Sequence, residues 1–290
     1  MKNFNLNRFG LALKCQFMTT RYQWLRIFGI YTLVLFIIEI FFTHLNGTSY
    51  GYMATNYTND MEWIQNWYTR KINDACQFGV IFLLMAQLFG ACYIFKNLKE
   101  TRQRTTYLMW PVSNLEKYLV GVLLNIVMMT VGTILVFMLA DTLRLLLDWI
   151  EGHVIVSGIP IFFDKLGTLF FSTSKHWQAN VFSLGSYIWL VSVFALGGSL
   201  FRRSQFLLTS FSLITLFFLF VWLAQEAVDL WSNSKSVSLN IMSETNGVFQ
   251  VHWSYYVLMT ILLLLTVTNF WLAYRISCRM QVINNKWLNV

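Results

Sequence analysis

Residues 122–140 read VLLNIVMMTVGTILVFMLA, a run that is apolar on every face that a helix could present. Strands of a membrane β-barrel alternate polar and apolar residues, and this run does not alternate. About 20 residues of this kind cross the hydrocarbon layer of a bilayer. Because lipid offers no hydrogen-bond partners to the backbone, such a span is expected to be helical.

Five further runs have the same character, and with 118–140 they give six predicted spans. The other five cover residues 27–43, 78–95, 181–200, 206–224 and 254–274. The composition agrees, because 57% of the chain is hydrophobic and only 12% is charged, where soluble domains carry about 25% charged residues. We therefore predict an all-α polytopic membrane protein with six transmembrane helices.

The distribution of Lys and Arg predicts the orientation. Fifteen of the 21 basic residues fall in the segments that are cytoplasmic if the first span runs outward, namely 1–26, 96–117, 201–205 and 275–290. Both termini are then cytoplasmic, in a protein of the cell (inner) membrane. The net charge of +8 is explained by topology, so we expect no nucleic-acid partner. No small-residue cleavage motif follows the first apolar run, which we interpret as a retained span.

These boundaries divide the chain into a cytoplasmic segment (1–26), a transmembrane domain (27–274) and a short cytoplasmic tail (275–290). The first segment has helical periodicity. Its apolar face is formed by Leu6, Phe9, Leu13 and Phe17, and its polar face by Asn7, Lys14 and Arg21. A basic amphipathic helix of this kind lies among lipid headgroups with its apolar face down. The alternative is a juxtamembrane segment whose basic residues only hold the orientation.

The longest predicted cytoplasmic connection ends in a sharp corner, WPVSNLEK (110–117). Pro111 ends any preceding helix and favours an extended conformation at Trp110. Ser113 followed by Glu116 has the spacing of a capping box, which predicts that the third span begins here. A corner of this kind can transmit the movement of a cytosolic partner to the spans, or it can merely turn the chain between two spans.

Other positions in the sequence are less informative. Residues 154–172 are apolar but interrupted, and we interpret them as an interfacial or re-entrant element, or as a plain surface loop. Glu39 is the one ionisable residue that we place within a span, where it reaches the headgroups, pairs with an outer-leaflet group or has a role in transport.

The scattered cysteines indicate neither a disulfide framework nor a thiol metal site. The four histidines are far apart in the sequence, so we expect no metal site and no cofactor. The chain has no Gly-Lys pair, hence no phosphate-binding loop, and no catalytic constellation is evident. We therefore expect a protein that is not an enzyme.

The N-terminal segment FNLNRFGLALKCQF (4–17) and the corner PVSNLEK (111–117) resemble the six-helix permease subunits of ABC-type exporters, particularly short permeases of the Bacteroidetes kind. The predicted outer loop 141–180 is longer than the corresponding connection in that family. The resemblance implies that a surface helix precedes the first span and that 96–117 docks on a separate ATPase. The coupling residues that it implies are Glu100, Arg102, Arg104, Pro111, Ser113, Leu115, Glu116 and Lys117.

The resulting hypothesis is a membrane-spanning permease subunit of an ABC-type export system. Its expected partners are a separate ATPase, membrane lipid, and a second copy of itself or a similar permease. The alternative is a non-transporting membrane scaffold or sensor that presents its outer loops to a partner.

Overall fold

The computed structural model describes residues 4–45, 61–95, 105, 107, 109–171, 177–201, 204–232, 242–245, 248–251 and 253–279. In chain order, its elements are α1 (Leu6–Ile40), a π-helical continuation (Phe41–Leu45), α2 (Met61–Tyr93), α3 (Asn114–Glu151), α4 (Ile159–Phe171), α5 (Trp177–Leu200), α6 (Gln205–Ser232), β1 (Met242–Thr245), β2 (Val248–Val251) and α7 (Trp253–Arg279).

The predicted fold class is confirmed. Within the described part of the chain, six helices are long and apolar enough to cross a bilayer: α1, α2, α3, α5, α6 and α7. The chain is therefore a helical multi-pass membrane protein. The exception to the all-α architecture is a short antiparallel pair of strands before α7, in which Met242 pairs with Val251 and Thr245 with Val248.

Several helices extend further than the hydropathy of the sequence predicts. Helix α2 begins at Met61 rather than at residue 78, and α3 continues to Glu151 rather than ending at residue 140. At 38 residues, α3 is about 57 Å long, well beyond the hydrocarbon thickness of about 30 Å. Charged residues end a hydropathy window, but they do not end a helix whose backbone bonds continue and whose charges find partners.

Helix α1 runs without interruption from the predicted surface segment into the first predicted span. Leu6 and Phe17 are exposed on it, Phe9 and Leu13 are half-buried, and Lys14 and Arg21 face outward. The apolar stripe therefore remains available to lipid. That its first turns lie in the headgroup plane stays a prediction.

Two compact units make up the chain. The first comprises 1–9, 88–125 and 172–290, and the second 10–87 and 126–171. The buried core of the first unit includes Leu88, Ala91, Cys92, Phe194, Ala195 and Ala273. The buried core of the second includes Leu35, Tyr68, Ile72, Val80, Phe137 and Phe162.

The interrupted apolar segment 154–172 contains a real helix, α4, in the second unit. Its 13 residues span about 20 Å, too short to cross the hydrocarbon. Phe162 on α4 is fully buried and stacks on Phe137 of α3, with ring centroids 4.0 Å apart. The reading of this segment as a plain surface loop is therefore wrong, whereas a half-length helix fits the interfacial or re-entrant alternative.

In the first unit, α2 and α5 approach so closely that backbone meets backbone. A Cβ atom added to Gly198 would lie 2.6 Å from the carbonyl oxygen of Cys92. The Cys92 thiol donates a hydrogen bond to the Phe194 carbonyl at 3.2 Å. Small residues at a helix crossing are the usual means of close packing in membranes, where no hydrophobic effect drives helices together.

Candidate functional site

The capping box predicted at the start of the third span is present. The backbone N–H of Glu116 donates to Ser113 Oγ at 3.3 Å, and the backbone N–H of Ser113 donates to Glu116 Oε2 at 2.9 Å. Helix α3 begins at Asn114, as this pairing requires. The two reciprocal bonds fix the angle at which the chain enters the helix after Pro111.

The second carboxylate oxygen of Glu116 contacts another helix start. Oε1 accepts hydrogen bonds from the backbone N–H of Asn5 at 2.8 Å and from Arg8 Nη2 at 3.0 Å. Asn5 is itself the N-cap of α1, because its side-chain oxygen accepts from the N–H of Asn7 at 2.9 Å. One fully buried carboxylate therefore joins the N-termini of α1 and α3, where the helix dipoles favour negative charge.

Two further residues brace the same corner. The hydroxyl of Tyr107 donates to the backbone carbonyl of Lys117 at 3.2 Å, and Lys117 Nζ lies 5.7 Å from the centroid of the Tyr107 ring. Burial raises the pKa of Tyr107 above its usual value, so the phenol remains protonated and keeps donating. The connection that precedes the corner is thus attached to the first turn of α3.

Not every predicted coupling residue can be placed. Pro111, Ser113, Leu115, Glu116 and Lys117 cluster at the corner, whereas Glu100, Arg102 and Arg104 lie outside the described residues. A groove opens beside the corner, and its lining includes Phe4, Trp110, Pro111, Leu115 and Tyr274.

A second polar cluster, in the second unit, was not predicted. The predicted outer loop 141–180 does not begin at residue 141, because 141–151 continue α3 and Asp141, Arg144 and Asp148 are buried on one face of it. Arg144 Nη2 donates to Asp141 Oδ1 at 2.5 Å, and Nη1 donates to Asp148 Oδ2 at 2.7 Å. The spacing i, i+3 and i+7 within a leucine-rich stretch is the signal that could have revealed this face.

Glu39 belongs to the same cluster and is not the isolated intramembrane acid that the sequence indicates. It is buried, and its Oε2 lies 3.9 Å from Arg144 Nε. Among the described residues, three carboxyl groups thus surround the Arg144 guanidinium. The interpretation that Glu39 reaches the headgroups is replaced by one in which it faces Arg144 within the second unit.

Each aspartate of this cluster has additional donors. Asp141 accepts from the Gly158 N–H at 3.0 Å and from Ser157 Oγ at 3.1 Å, which anchors the chain just before α4. Asp148 accepts from the hydroxyl of Tyr68 on α2 at 2.6 Å. Buried charges are retained in proteins where such hydrogen bonds satisfy them.

Two histidines that are distant in the sequence meet beside Asp148. His44 lies in the π-helical end of α1 and His153 just after α3, with ring centroids 5.3 Å apart. Burial is the main cause that lowers the pKa of His153 below that of a free histidine. The expectation that the widely separated histidines do not gather is wrong for this pair, while His176 and His252 lie outside the described residues.

The local sequence explains how His153 reaches this position. Gly152 has a positive φ of 71° and ends α3, as glycine commonly does at this position. The N–H of His153 then donates back to the carbonyl of Asp148 at 2.9 Å. The N–H of Gly152 donates to the carbonyl of Trp149 at 3.4 Å. This Schellman arrangement folds His153 over the last turn of the helix.

Two polar residues within spans make interhelical hydrogen bonds. Gln87 Nε2 donates to Thr130 Oγ1 at 2.7 Å, and Asn269 Nδ2 to Ser192 Oγ at 3.1 Å. The third such residue, Asn125, instead donates to the Gly121 carbonyl of its own helix at 2.8 Å.

The described chain thus holds two candidate sites, the corner around Glu116 and the cluster around Asp148. Comparisons of the chain with protein-family models, with curated proteins and with solved structures found no match.

Proposed function

We propose that the protein is the membrane-spanning permease subunit of an ABC-type exporter. A separate ATPase docks on the connection 96–117, and the permease works as a homodimer or paired with a similar subunit. Both termini lie in the cytoplasm, and the protein resides in the inner membrane. ATP-driven movement of the partner is transmitted through the corner to open and close a path between two permease subunits.

The observation that carries this proposal is the double attachment of Glu116. Its carboxylate holds the backbone of Ser113 at the start of α3 and that of Asn5 at the start of α1. A force applied to the corner therefore reaches the first turns of two spanning helices together. A connection that merely turned the chain would not need this second attachment, because the capping box alone defines the helix start.

The exposed side chains of the corner also support a docking role. Met109 is 79% exposed and Leu115 is 43% exposed, beside the groove that Phe4 and Tyr274 help to line. Exposed apolar side chains beside a concave surface are typical of protein interfaces. The basic residues of the same connection suit a partner with acidic groups at the contact.

The direct test is purification of the tagged chain from its native membrane in mild detergent, with mass spectrometry of the proteins that accompany it. We expect a stoichiometric ATPase that carries a phosphate-binding loop. The double reversal Arg102→Glu and Arg104→Glu should remove it, while the reversal of an exposed arginine elsewhere, Arg70→Glu, should not. A preparation that contains no ATPase, or only extracytoplasmic proteins, would favour the scaffold or sensor instead.

The transmission of movement through the corner can be tested with the variants Ser113→Ala and Glu116→Gln. We expect transport-coupled ATPase activity to fall on the order of tenfold in the double variant, because the charge-assisted bonds that join the two helix starts are lost. The measurement is ATP hydrolysis of the reconstituted complex at fixed subunit ratio. Insertion and co-purification of the ATPase should persist.

The matched control is Asn66→Ala, which changes an exposed polar residue of α2. It should retain full coupling. If the Ser113 and Glu116 double variant hydrolysed ATP and transported as the wild type does, the corner would not transmit the movement of the ATPase.

A further inference from the structure

Four potential ligand atoms converge where α1 ends and α3 ends. His44 Nε2 lies 3.5 Å from Asp148 Oδ1 and 3.2 Å from Glu151 Oε2. His153 Nδ1 lies 3.9 Å and 3.4 Å from the same two oxygens. The donor atoms of His44, Asp148 and His153 all lie within 4.8 Å of one another.

These separations match those of a metal coordination shell. Ligands at about 2.0–2.1 Å from Zn²⁺ in a tetrahedron lie about 3.3 Å apart, close to most of the distances above. Three of these residues, His44, Asp148 and His153, bring their donor atoms within one such shell, and Glu151 Oε2 lies beside both imidazoles. We propose that His44, Asp148, His153 and Glu151 bind one divalent transition-metal ion of the Zn²⁺ class.

The hydrogen bonds of His44 select the tautomer that a metal requires. Thr43 Oγ1 donates its proton to the Glu39 carbonyl at 2.8 Å, so towards His44 Nδ1, 2.7 Å away, the hydroxyl can only accept. Nδ1 therefore carries the proton, and in the neutral ring Nε2 presents its lone pair. Oxygens of Asp148 and Glu151 lie 3.5 Å and 3.2 Å from Nε2, so a cation bound there would be shared by the ring and both carboxylates.

Residues around the four ligands hold them in position. Asp148 is fixed by the Tyr68 hydroxyl on one oxygen and by Arg144 on the other. Gly152 folds His153 back over the helix end, and Thr43 orients His44. Hydrogen bonds of this kind from outer groups are the usual support of metal ligands.

The chemistry of the ligand set indicates which ion. Two imidazole nitrogens and two carboxylate oxygens, without a thiolate, suit Zn²⁺, Co²⁺ or a similar ion better than Mg²⁺ or Ca²⁺, which prefer oxygen ligands alone. Asp148 is buried, whereas the Glu151 side chain is 47% exposed. Glu151 therefore lies at the entrance and is the ligand that an incoming ion meets first.

The experiment uses the full chain, purified in detergent without a polyhistidine tag and stripped with a chelator. Addition of Co²⁺ should produce visible d–d absorption of four-coordinate intensity that saturates at one ion per chain, and Zn²⁺ should abolish it. The variants His44→Gln and His153→Gln should each weaken Zn²⁺ binding by at least about a hundredfold, the upper end of what outer-group substitutions cause.

The matched control is Glu62→Gln, which removes an exposed carboxylate of the same unit and should leave binding unchanged. If a histidine variant does not yield folded protein, Glu151→Gln provides the same test at a half-exposed position. Absence of the Co²⁺ spectrum in the wild type, or wild-type affinity in the ligand variants, would overturn the proposal.

Discussion

Replacing Arg144 by methionine is expected to lower the free energy of unfolding by about 3–5 kcal/mol, the cost of leaving buried charges without their partner. Arg144 is fully buried and donates hydrogen bonds to Asp141, Asp148 and the carbonyl of Val156. Methionine fills a similar volume but donates nothing. Two aspartates then remain in a site without their countercharge.

Thermal unfolding in detergent, followed by tryptophan fluorescence, measures this effect. For a chain of this size, the midpoint should fall on the order of 10 °C. The matched control is Arg70→Met, the same substitution at an exposed arginine of the same unit, which should change stability by less than about 0.5 kcal/mol.

A compensated variant makes the test specific to charge. Combining Arg144→Met with Asp141→Asn and Asp148→Asn leaves Glu39 as the one carboxyl group of the three around position 144, and it should recover part of the lost stability, because two fewer ions have to be desolvated. An Arg144→Met protein that unfolded at the wild-type temperature would show that the aspartates do not need the guanidinium.

The second large effect is expected at Gly198, where alanine should lower the free energy of unfolding by about 1–3 kcal/mol. The added Cβ would lie 2.6 Å from the Cys92 carbonyl oxygen and 2.9 Å from the Cys92 Cα. Backbone atoms cannot rotate away as the end of a side chain can. Helices α2 and α5 therefore have to separate, which disturbs the packing of Phe194 between them.

Gly185→Ala is the matched control on the same helix. Its Cβ would meet only the flexible end of Met259, 3.2 Å from Cε, so it should be tolerated. Midpoints of thermal unfolding for the two variants give the comparison directly. Equal stability of both would mean that the close approach of α2 and α5 is not required in the folded protein.

The two candidate sites make different demands on the chain. Under the proposed permease function, the corner around Glu116 depends on rigidity at two helix starts, and its variants are expected to affect coupling to the ATPase with little effect on folding. The cluster around Asp148, which includes Arg144, depends on charge balance inside the second unit, and its variants are expected to affect folding first. Measuring stability and ATP hydrolysis on the same variants therefore separates the two contributions.

The sequence predicted best those features that depend on backbone hydrogen bonds and on interactions within one helical turn. Long apolar runs predict spanning helices because lipid leaves the backbone no other way to satisfy its hydrogen bonds. The capping box at Ser113 and Glu116 was predictable for a similar reason, since its partners are three residues apart and act within one turn. The start of α2 and the end of α3 were not, because hydropathy falls at charged residues even where a helix continues through them.

The aspartates and arginine of α3 show the limit of a hydropathy reading. Their spacing on one helical face is visible in the sequence, yet without a neighbouring helix it does not reveal whether that face is buried. Tyr68 from α2 and Glu39 from α1 supply that information. What looked like a polar loop is the buried face of a spanning helix.

Interactions within a helical turn can be predicted from the sequence, because the helical backbone itself fixes which side chains are neighbours. The six apolar helices, the corner at Pro111 and the start of α3 all follow from it. Glu116 meets Asn5 across 111 positions, and His44 meets His153 only after α1 and α3 have packed. Such pairings depend on which helix faces come together, and that is settled by the packing of the whole unit, not by any single segment.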